Sequence, residues 1–454
     1  MHENDIVNLN IEKFSNLGYG IAKADGYVVF VEGACPGDFV SAKVTKANKN
    51  FANAKTIEVL TPSKHRVEPF CPMQKVCGAC QLQFIDYDYQ LELKRQIVED
   101  AMRSIANLDI EIPKPIASPD IKKYRHKIQY PVSETKVSKR ILAGYYKPQT
   151  HEIVNIKHCP IQPEICDRIV DFIREHALDF KISGFNEKKH SGDLRHVVIR
   201  ASAGNGKLLV TLVVNATKTF GRLKDFATAI FNEFEEIAGV CVNFNSQKTN
   251  VILGKKSECI AGADFIEEKL LGKTFTIGAN TFFQVNPKSA ENIFKYVKDF
   301  IQKNYENPII LDAYAGISTF GICVSDVAQK VITVEENSES TERAKESLKI
   351  NKIFNVEIYN SDAAEFFKNE KRIFDISIVD PPRKGCDNAT LTAIVQMAPR
   401  TLVMVSCNPS TAARDAAWLE EHGYHAEKVQ PVDLFPRTRH CECVIALSKD
   451  EIDS

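Results

Sequence analysis

The last third of the chain alternates short, apolar, β-rich runs with helical stretches, and this alternation restricts the fold more than any other feature. The runs are Ile309-Ile310-Leu311-Asp312, Val331-Ile332-Thr333-Val334-Glu335, Ile376-Ser377-Ile378-Val379-Asp380 and Thr401-Leu402-Val403-Met404-Val405; helical stretches at 338–351 and 411–422 lie between or after them. Strands that regularly give way to helices predict a doubly wound, largely parallel sheet covered on both faces. Ligands of such sheets sit beyond the carboxyl ends of the strands.

Several polar residues fall at those ends. The first run leads into Asp312-Ala313-Tyr314-Ala315-Gly316-Ile317-Ser318-Thr319, and the second ends in Glu335-Glu336. An acid about 20 residues after a glycine turn is placed to accept ribose hydroxyls. Asp362 follows a possible third strand, Val356-Glu357-Ile358-Tyr359, and is placed to meet an adenine amino group. S-adenosylmethionine suits this layout better than NAD. Only Gly316 stands where a dinucleotide loop carries several glycines around pyrophosphate.

A nucleophile and a base are placed at the same rim. Ser406-Cys407-Asn408-Pro409 follows the fourth run, and Glu442 precedes the apolar run Val444-Ile445-Ala446-Leu447. A thiolate adds readily and reversibly to an electron-poor ring, and a carboxylate can remove a ring proton. Carbon 5 of uracil attacks a sulfonium methyl group only after such an addition at carbon 6, so Cys407, Glu442 and the acid Asp380 are the parts that this reaction needs. Asp380-Pro381-Pro382 also resembles the tetrapeptide of amino-group methyltransferases, but Arg383 stands where those enzymes place an aromatic.

The rest of the chain reads differently. Residues 6–60 form short runs punctuated by Gly18, Gly20, Gly26 and Cys35-Pro36-Gly37-Asp38, which predicts a small β-barrel. Apolar spacing over 87–108 predicts one amphipathic helix. Residues 113–270 mix strands and helices, with Gly204-Asn205-Gly206 as a hairpin turn. The expected division is 1–62, 63–272 and 273–454.

Cys71, Cys77 and Cys80 fall within ten residues, and Cys159 is a plausible fourth partner. Four thiolates suit zinc or an iron–sulfur cluster. The wide first gap is unlike paired zinc knuckles and favours a closed [4Fe–4S] cluster, with zinc as the lesser alternative.

Composition matters here because it sets the compartment and the partner. The chain has no apolar run of membrane-spanning length, and no basic-then-apolar leader follows Met1, so it is expected in the cytoplasm, where its 13 cysteines are not a disulfide framework. No membrane and no obligatory protein partner is implied, and a monomer is expected. The 58 Lys+Arg nearly balance 59 Asp+Glu, yet nine Lys/Arg face only Glu134 and Glu152 over 121–160. With Tyr124, Tyr130, Tyr145 and Tyr146 interleaved, that stretch is expected to hold phosphates and stack bases.

Phe282-Phe283-Gln284-Val285-Asn286, Asp380-Pro381-Pro382-Arg383, Ser406-Cys407-Asn408-Pro409 and the region around Glu442, with the cysteine segment, resemble the bacterial RNA (uracil-5-)-methyltransferases, specifically the ribosomal 5-methyluridine enzymes with an iron–sulfur cluster. Residues 1–60 look like a TRAM domain, a small OB-like RNA-binding barrel. The resemblance implies a multidomain α/β protein: this barrel, a central α+β domain with the Fe–S loop, and a Rossmann-like methyltransferase domain onto which helix 87–108 packs. It implies methylation of a uridine in 23S ribosomal RNA, with Cys407 as nucleophile and Glu442 as base. Gln284, Tyr314, Thr319, Glu335, Asp362 and Asp380 would line the S-adenosylmethionine and uracil pockets, and Cys71, Cys77, Cys80 and Cys159 would hold the cluster. Ser318 and Thr319 stand where Gly and Asn are common in the family, and Arg439-His440-Cys441 where Gly-His-Leu/Val is usual. The same chemistry on transfer RNA and a non-catalytic RNA-binding assembly factor are the alternatives.

Overall fold

The computed structural model describes residues 1–24 and 26–450. Six strands come first: β1 (Ile6–Asn10), β2 (Lys13–Phe14), β3 (Gly20–Ala24), β4 (Tyr27–Glu32), β5 (Phe39–Ala47) and β6 (Phe51–Thr61). They form one sheet in the order β1-β5-β6-β4-β3-β2. Alternate residues point to one core, in which Val29, Val31, Val40, Ala42, Val44, Ala52 and Ala54 are buried. The edge strands β1 and β2 are not paired with each other, so hydrogen bonding does not close the expected barrel among the described residues.

Helix α1 (Tyr87–Ile105) begins where the Asp86 carboxylate accepts the Tyr89 N–H at 2.9 Å. One stripe, Val98, Ala101 and Met102, enters the core of the C-terminal sheet. Leu93 and Ile97 turn instead toward Leu82, Phe84, Phe14 and Cys35, at the junction with the N-terminal sheet. The helix therefore joins two distant parts of the sequence by burying two different sides.

The second sheet uses β7 (Lys127–Glu134), β8 (Ile141–Ala143), β9 (Leu194–Ala201), β10 (Leu208–Val214), β11 (Ile237–Phe244) and β12 (Lys256–Gly262), in the order β12-β11-β10-β9-β7-β8. Helices α2 (Glu164–His176) and α3 (Gly221–Glu233) cover it. Strand β10, Leu-Leu-Val-Thr-Leu-Val-Val, is buried on both faces, and its turn from β9 places Gly206 at φ 73°. Strands β13 (Phe265–Leu270) and β14 (Lys273–Gly278) form a separate hairpin that packs beneath the C-terminal sheet. The division expected at 272/273 falls in the turn of this hairpin.

The C-terminal part runs α4 (Pro287–Asn304), β15 (Ile309–Ala313), α5 (Thr319–Val324), β16 (Lys330–Glu335), α6 (Ser338–Asn351), β17 (Val356–Asn360), α7 (Ala363–Asn369), β18 (Ile376–Val379), α8 (Asn388–Met397), β19 (Thr401–Ser406), α9 (Pro409–Glu420), β20 (Tyr424–Val432) and β21 (Glu442–Lys449). The sheet order is β17-β16-β15-β18-β19-β21-β20. The first five strands are parallel, and β21 returns antiparallel beside β19. Leu402 and Met404 enter one core while Val403 and Val405 enter the other, which is why these strands read as unbroken apolar runs. No helix among the described residues is long and apolar enough to cross a membrane.

Candidate active site

The turn after β15 places Tyr314, Gly316 and Ser318 at φ 60°, 56° and 58°. Two are not glycine, and left-handed conformations of this kind store strain that collects at ligand clamps. A Cβ on Gly316 would meet nothing within 4 Å, so its backbone faces open space. Gly321 is the opposite case. A Cβ there would lie 2.5 Å from Thr333, so this glycine lets α5 press onto β16.

Glu335 ends β16 and holds this turn. Its two carboxylate oxygens accept the Gly316 N–H at 2.9 Å and the Asn337 N–H at 2.8 Å. The Tyr314 hydroxyl lies 2.9 Å from that of Thr390, and half-buried Thr319 opens α5. Buried Asp312 accepts the Gly321 N–H at 2.9 Å through one oxygen while the other has no partner. Burial pushes its pKa up to about 8; the Gly321 N–H pulls it down, and the charges of Asp380 and Glu335 raise it further. Exposed Asp362 caps α7 by accepting the Glu365 N–H at 3.0 Å, so one oxygen is spent on the helix.

Half-buried Gln284 sits on the segment between β14 and α4. That segment begins at Asn280, whose N–H donates to Glu339 at 3.3 Å, and ends at Asn286, whose side chain donates to the Leu434 carbonyl at 3.0 Å. It therefore runs from the β16 rim to the loop ahead of Glu442. Phe282 stands on it, 58% exposed.

Asp380, Cys407 and Glu442 come together because their strands are neighbours. Asp380 and Cys407 follow the carboxyl ends of parallel β18 and β19. Glu442 begins antiparallel β21, in which Cys443 pairs with Ser406, so its first residue reaches the same rim. Burial pushes Cys407 up to about 11, with further upward pressure from Glu442 and Asp380 and relief from Arg383. Burial pushes Glu442 up to about 8; Asp380 adds to this and Arg383 opposes it. Asp380 is pushed up to about 7 by burial. The Arg383 guanidinium reaches Nδ1 of His440 at 3.3 Å, and its carbonyl accepts from Asn408 and Thr411 at 3.4 Å each. Burial, then Arg383 and Arg439, hold His440 down at about 4, so its ring is neutral. Cys407 is half-buried, whereas Cys441 and Cys443 are fully enclosed, which sets Cys407 apart from these two.

The thiols of Cys77, Cys80 and Cys159 share one apolar cluster with Tyr124 and Ile161. Burial raises all three, Cys80 to about 11 and Cys159 to about 12, and Cys71 adds to each while Arg125 offsets Cys77 and Cys80. Among the described residues, no group of three His, Cys, Asp or Glu is arranged to hold a metal ion. The donor set fits a thiolate-held cluster in its chemistry.

The basic stretch 121–160 is less free than its sequence suggests. Lys123, Lys139 and Lys147 pair with Glu164, Glu134 and Glu152. Tyr124 and Tyr130 are buried at 1% and 0% exposure, so the expectation that they stack bases is corrected: packing claimed them. Tyr146 stays partly exposed and stacks on His151 at 5.1 Å. The N-terminal sheet reaches the rim that carries Cys407 and Glu442, since Arg439 donates to the Leu17 carbonyl at 3.2 Å and Asn16 to Ser410 at 3.4 Å. A cleft of about 890 Å³ opens between this loop, Arg439 and the cysteine segment.

The model of the tRNA (uracil-5-)-methyltransferase family matches residues 86–450, and that of the TRAM domain matches residues 2–57. The chain belongs to the tRNA (uracil-5-)-methyltransferase family. An uncharacterized RNA methyltransferase of Clostridium tetani is 36% identical over 449 residues, 98% of this chain and 97% of its own. One from Clostridium acetobutylicum is 37% identical, covering 98% of both chains. The Pyrococcus abyssi tRNA (uracil-54, C5)-methyltransferase, solved with S-adenosyl-L-homocysteine, superposes with a TM-score of 0.77 at 27% identity over 97% of this chain and 100% of that one. This uracil-5 methyltransferase family member is thus an S-adenosylmethionine-dependent RNA methyltransferase with an N-terminal TRAM domain. Sequence reading missed the contact of Arg383 with His440 and the partnerless oxygen of Asp312. Only the positions of these residues beside strand ends hinted at either.

Proposed function

We propose that the protein methylates carbon 5 of a uridine in RNA through a covalent cysteine adduct. The observation that carries this reading is the meeting of Cys407, Glu442 and Asp380 at one rim, on three adjacent strands. Bound S-adenosylmethionine supplies a methyl group on a positively charged sulfur. Glu335 is placed to exchange its backbone partners for ribose hydroxyls, and the open face of Gly316 leaves room for the cofactor. Tyr314, Thr319, Gln284 and Asp362 line the remainder of that pocket, and Asp380 faces the uracil edge.

The target base leaves its stack to reach the rim, and exposed Phe282 offers a ring for it to lie against. The Cys407 thiol gives its proton to water, its sulfur forms a bond to carbon 6, and the ring's electron pair moves to carbon 5 and on to the carbonyl oxygen. Carbon 5 then takes the methyl group as its bond to the cofactor's sulfur breaks, the electron pair of that bond staying on the sulfur. The Glu442 carboxylate removes the proton from carbon 5; that electron pair rebuilds the 5,6 double bond, and the thiolate leaves with the pair of the broken C6–S bond. Arg383 steadies the negative charge that passes among these groups.

The RNA we propose is 23S ribosomal RNA, on the strength of the cysteine segment that resembles the ribosomal enzymes. Transfer RNA is the second reading, favoured by the Pyrococcus abyssi relative. Cys71, Cys77, Cys80 and Cys159 are proposed to hold a [4Fe–4S] cluster with no part in the methyl transfer. The divisions 1–62, 63–272 and 273–454 are proposed as RNA-binding, cluster-bearing and catalytic parts. To test all this, the protein is incubated with S-adenosylmethionine and 5-fluorouridine-substituted ribosomal and transfer RNAs. Fluorine cannot leave as a proton, so a stable adduct to Cys407 should form on one of them. Methyl transfer by Cys407→Ala, with no adduct in the parent, would sink the reading.

A further inference from the structure

The segment Asp433–Cys441 leads from β20 straight into Glu442, and buried bonds hold it at Asp433, Phe435 and Arg437. The Lys94 ammonium donates to Asp433 at 2.6 Å and to the Phe435 carbonyl at 3.1 Å, with both charged side chains fully buried. The Tyr87 hydroxyl donates to the other Asp433 oxygen at 2.8 Å. Arg437 sits in the left-handed region, φ 67°, and is 7% exposed. Its guanidinium donates to the Ile85 carbonyl at 3.2 Å, its N–H donates to Gln90 at 3.1 Å, and its carbonyl accepts the Leu82 N–H at 2.9 Å. The Phe70 and Tyr87 rings each lie 5.5 Å from it. Phe70 and Leu82 bracket the three-cysteine segment.

A buried ion pair is a poor way to gain stability, because desolvating two charges offsets their attraction. Apolar residues would hold α1 to the sheet at least as well. Such pairs are best explained by what they fix. Here both partners fix one object, the approach of the chain to Glu442, from a helix more than 300 residues earlier in sequence. We infer that Lys94 and Arg437 are positioning residues for the proton-removal step: they set the Glu442 carboxylate against carbon 5 and make the cysteine-bearing segment one wall of that support.

This inference rests on Glu442 being the base, and the test separates the two. Three variants are compared with the parent: Glu442→Gln, Arg437→Gln, and Lys94→Met combined with Asp433→Asn, which removes both buried charges and so avoids stranding one of them. Single-turnover reactions on unmodified RNA are quenched, and the methylated covalent adduct is separated from released product. Misplacing a base by about 1 Å costs up to roughly 100-fold in rate. The expected result is at least about a tenfold rise in the trapped methylated adduct for Arg437→Gln and for the double variant, with kcat lowered, kcat/KM for RNA unchanged and circular dichroism like the parent. A merely structural role would lower all steps together and leave the adduct fraction at its parental level. Folded Arg437→Gln and double variants with parental adduct fractions, alongside accumulation in Glu442→Gln, would overturn the positioning role and leave the base standing. No accumulation in Glu442→Gln would overturn the base assignment and the inference with it. If the double variant does not fold, Arg437→Gln alone decides.

Discussion

Glu442→Gln should make the protein more stable while stopping its turnover. The Glu442 carboxyl is 5% exposed and its pKa is raised from 4.5 to about 8, first by burial and then by Asp380. At about 1.36 kcal/mol per pKa unit, that displacement is a penalty of order 5 kcal/mol on the ionised folded state. The sign follows from proton counting. Below 4.5 the carboxyl is neutral folded or unfolded and contributes nothing. Between 4.5 and about 8 the unfolded chain releases its proton while the folded chain keeps it, so stability falls as pH rises; above about 8 the loss is complete. Glutamine has the same shape and no charge. Urea unfolding at about pH 5 should therefore barely distinguish the variant, whereas at about pH 9 the variant should be more stable by a few kcal/mol. The variant should also methylate once and remain bonded to its RNA, because nothing takes the proton from carbon 5. In the parent, kcat should rise with pH through about 8 as the carboxylate forms. A glutamine variant that turns over normally, or that is less stable than the parent at high pH, would refute the picture of a buried base held against its preference for water.

Other outcomes follow from the same geometry. Cys407→Ala should abolish both methyl transfer and the 5-fluorouridine adduct, while Cys441→Ala should keep the adduct, as mass spectrometry of the RNA–protein conjugate will show. Glu335→Gln should weaken S-adenosylmethionine binding by about 10- to 100-fold in calorimetry, the worth of a charge-assisted hydrogen bond at about 1.5–3 kcal/mol. Phe282→Ala should raise KM for RNA by about tenfold with little effect on cofactor affinity, since base–aromatic stacking contributes about 1–3 kcal/mol.

The parts of this molecule that the sequence exposes most clearly are those governed by local period. Strands β15, β16, β18 and β19 are buried on both faces, and so appear as uninterrupted Val/Ile/Leu runs whose ends give the rim directly. That locates Glu335, Asp380 and Cys407. Glu442 is harder, because an antiparallel strand brings its first residue, not its last, to that rim. The register of β21 on β19 supplies what spacing cannot. The tyrosines of 121–160 mislead for a related reason. Interleaved aromatics and lysines look alike whether they stack on bases or plug a core, and burial of Tyr124 and Tyr130 is decided by distant partners such as the Pro436 carbonyl, which accepts the Tyr124 hydroxyl at 2.9 Å. Lys94 is the extreme case. A lysine amid an amphipathic helix looks like solvent-facing charge, and only Asp433, 339 residues later, explains its burial.

Helix α1 has a consequence for how this chain is made. Its apolar stripe of Val98, Ala101 and Met102 is complete once about a quarter of the protein has left the ribosome, yet the α9 residues that cover it, Ala412, Ala416 and Leu419, arrive almost at the end. For most of translation a sticky helix waits without its cover, so the nascent chain invites chaperone capture and is slow to close. Separating the C-terminal sheet from the first hundred residues would recreate that bare surface permanently, on the other side of the contact.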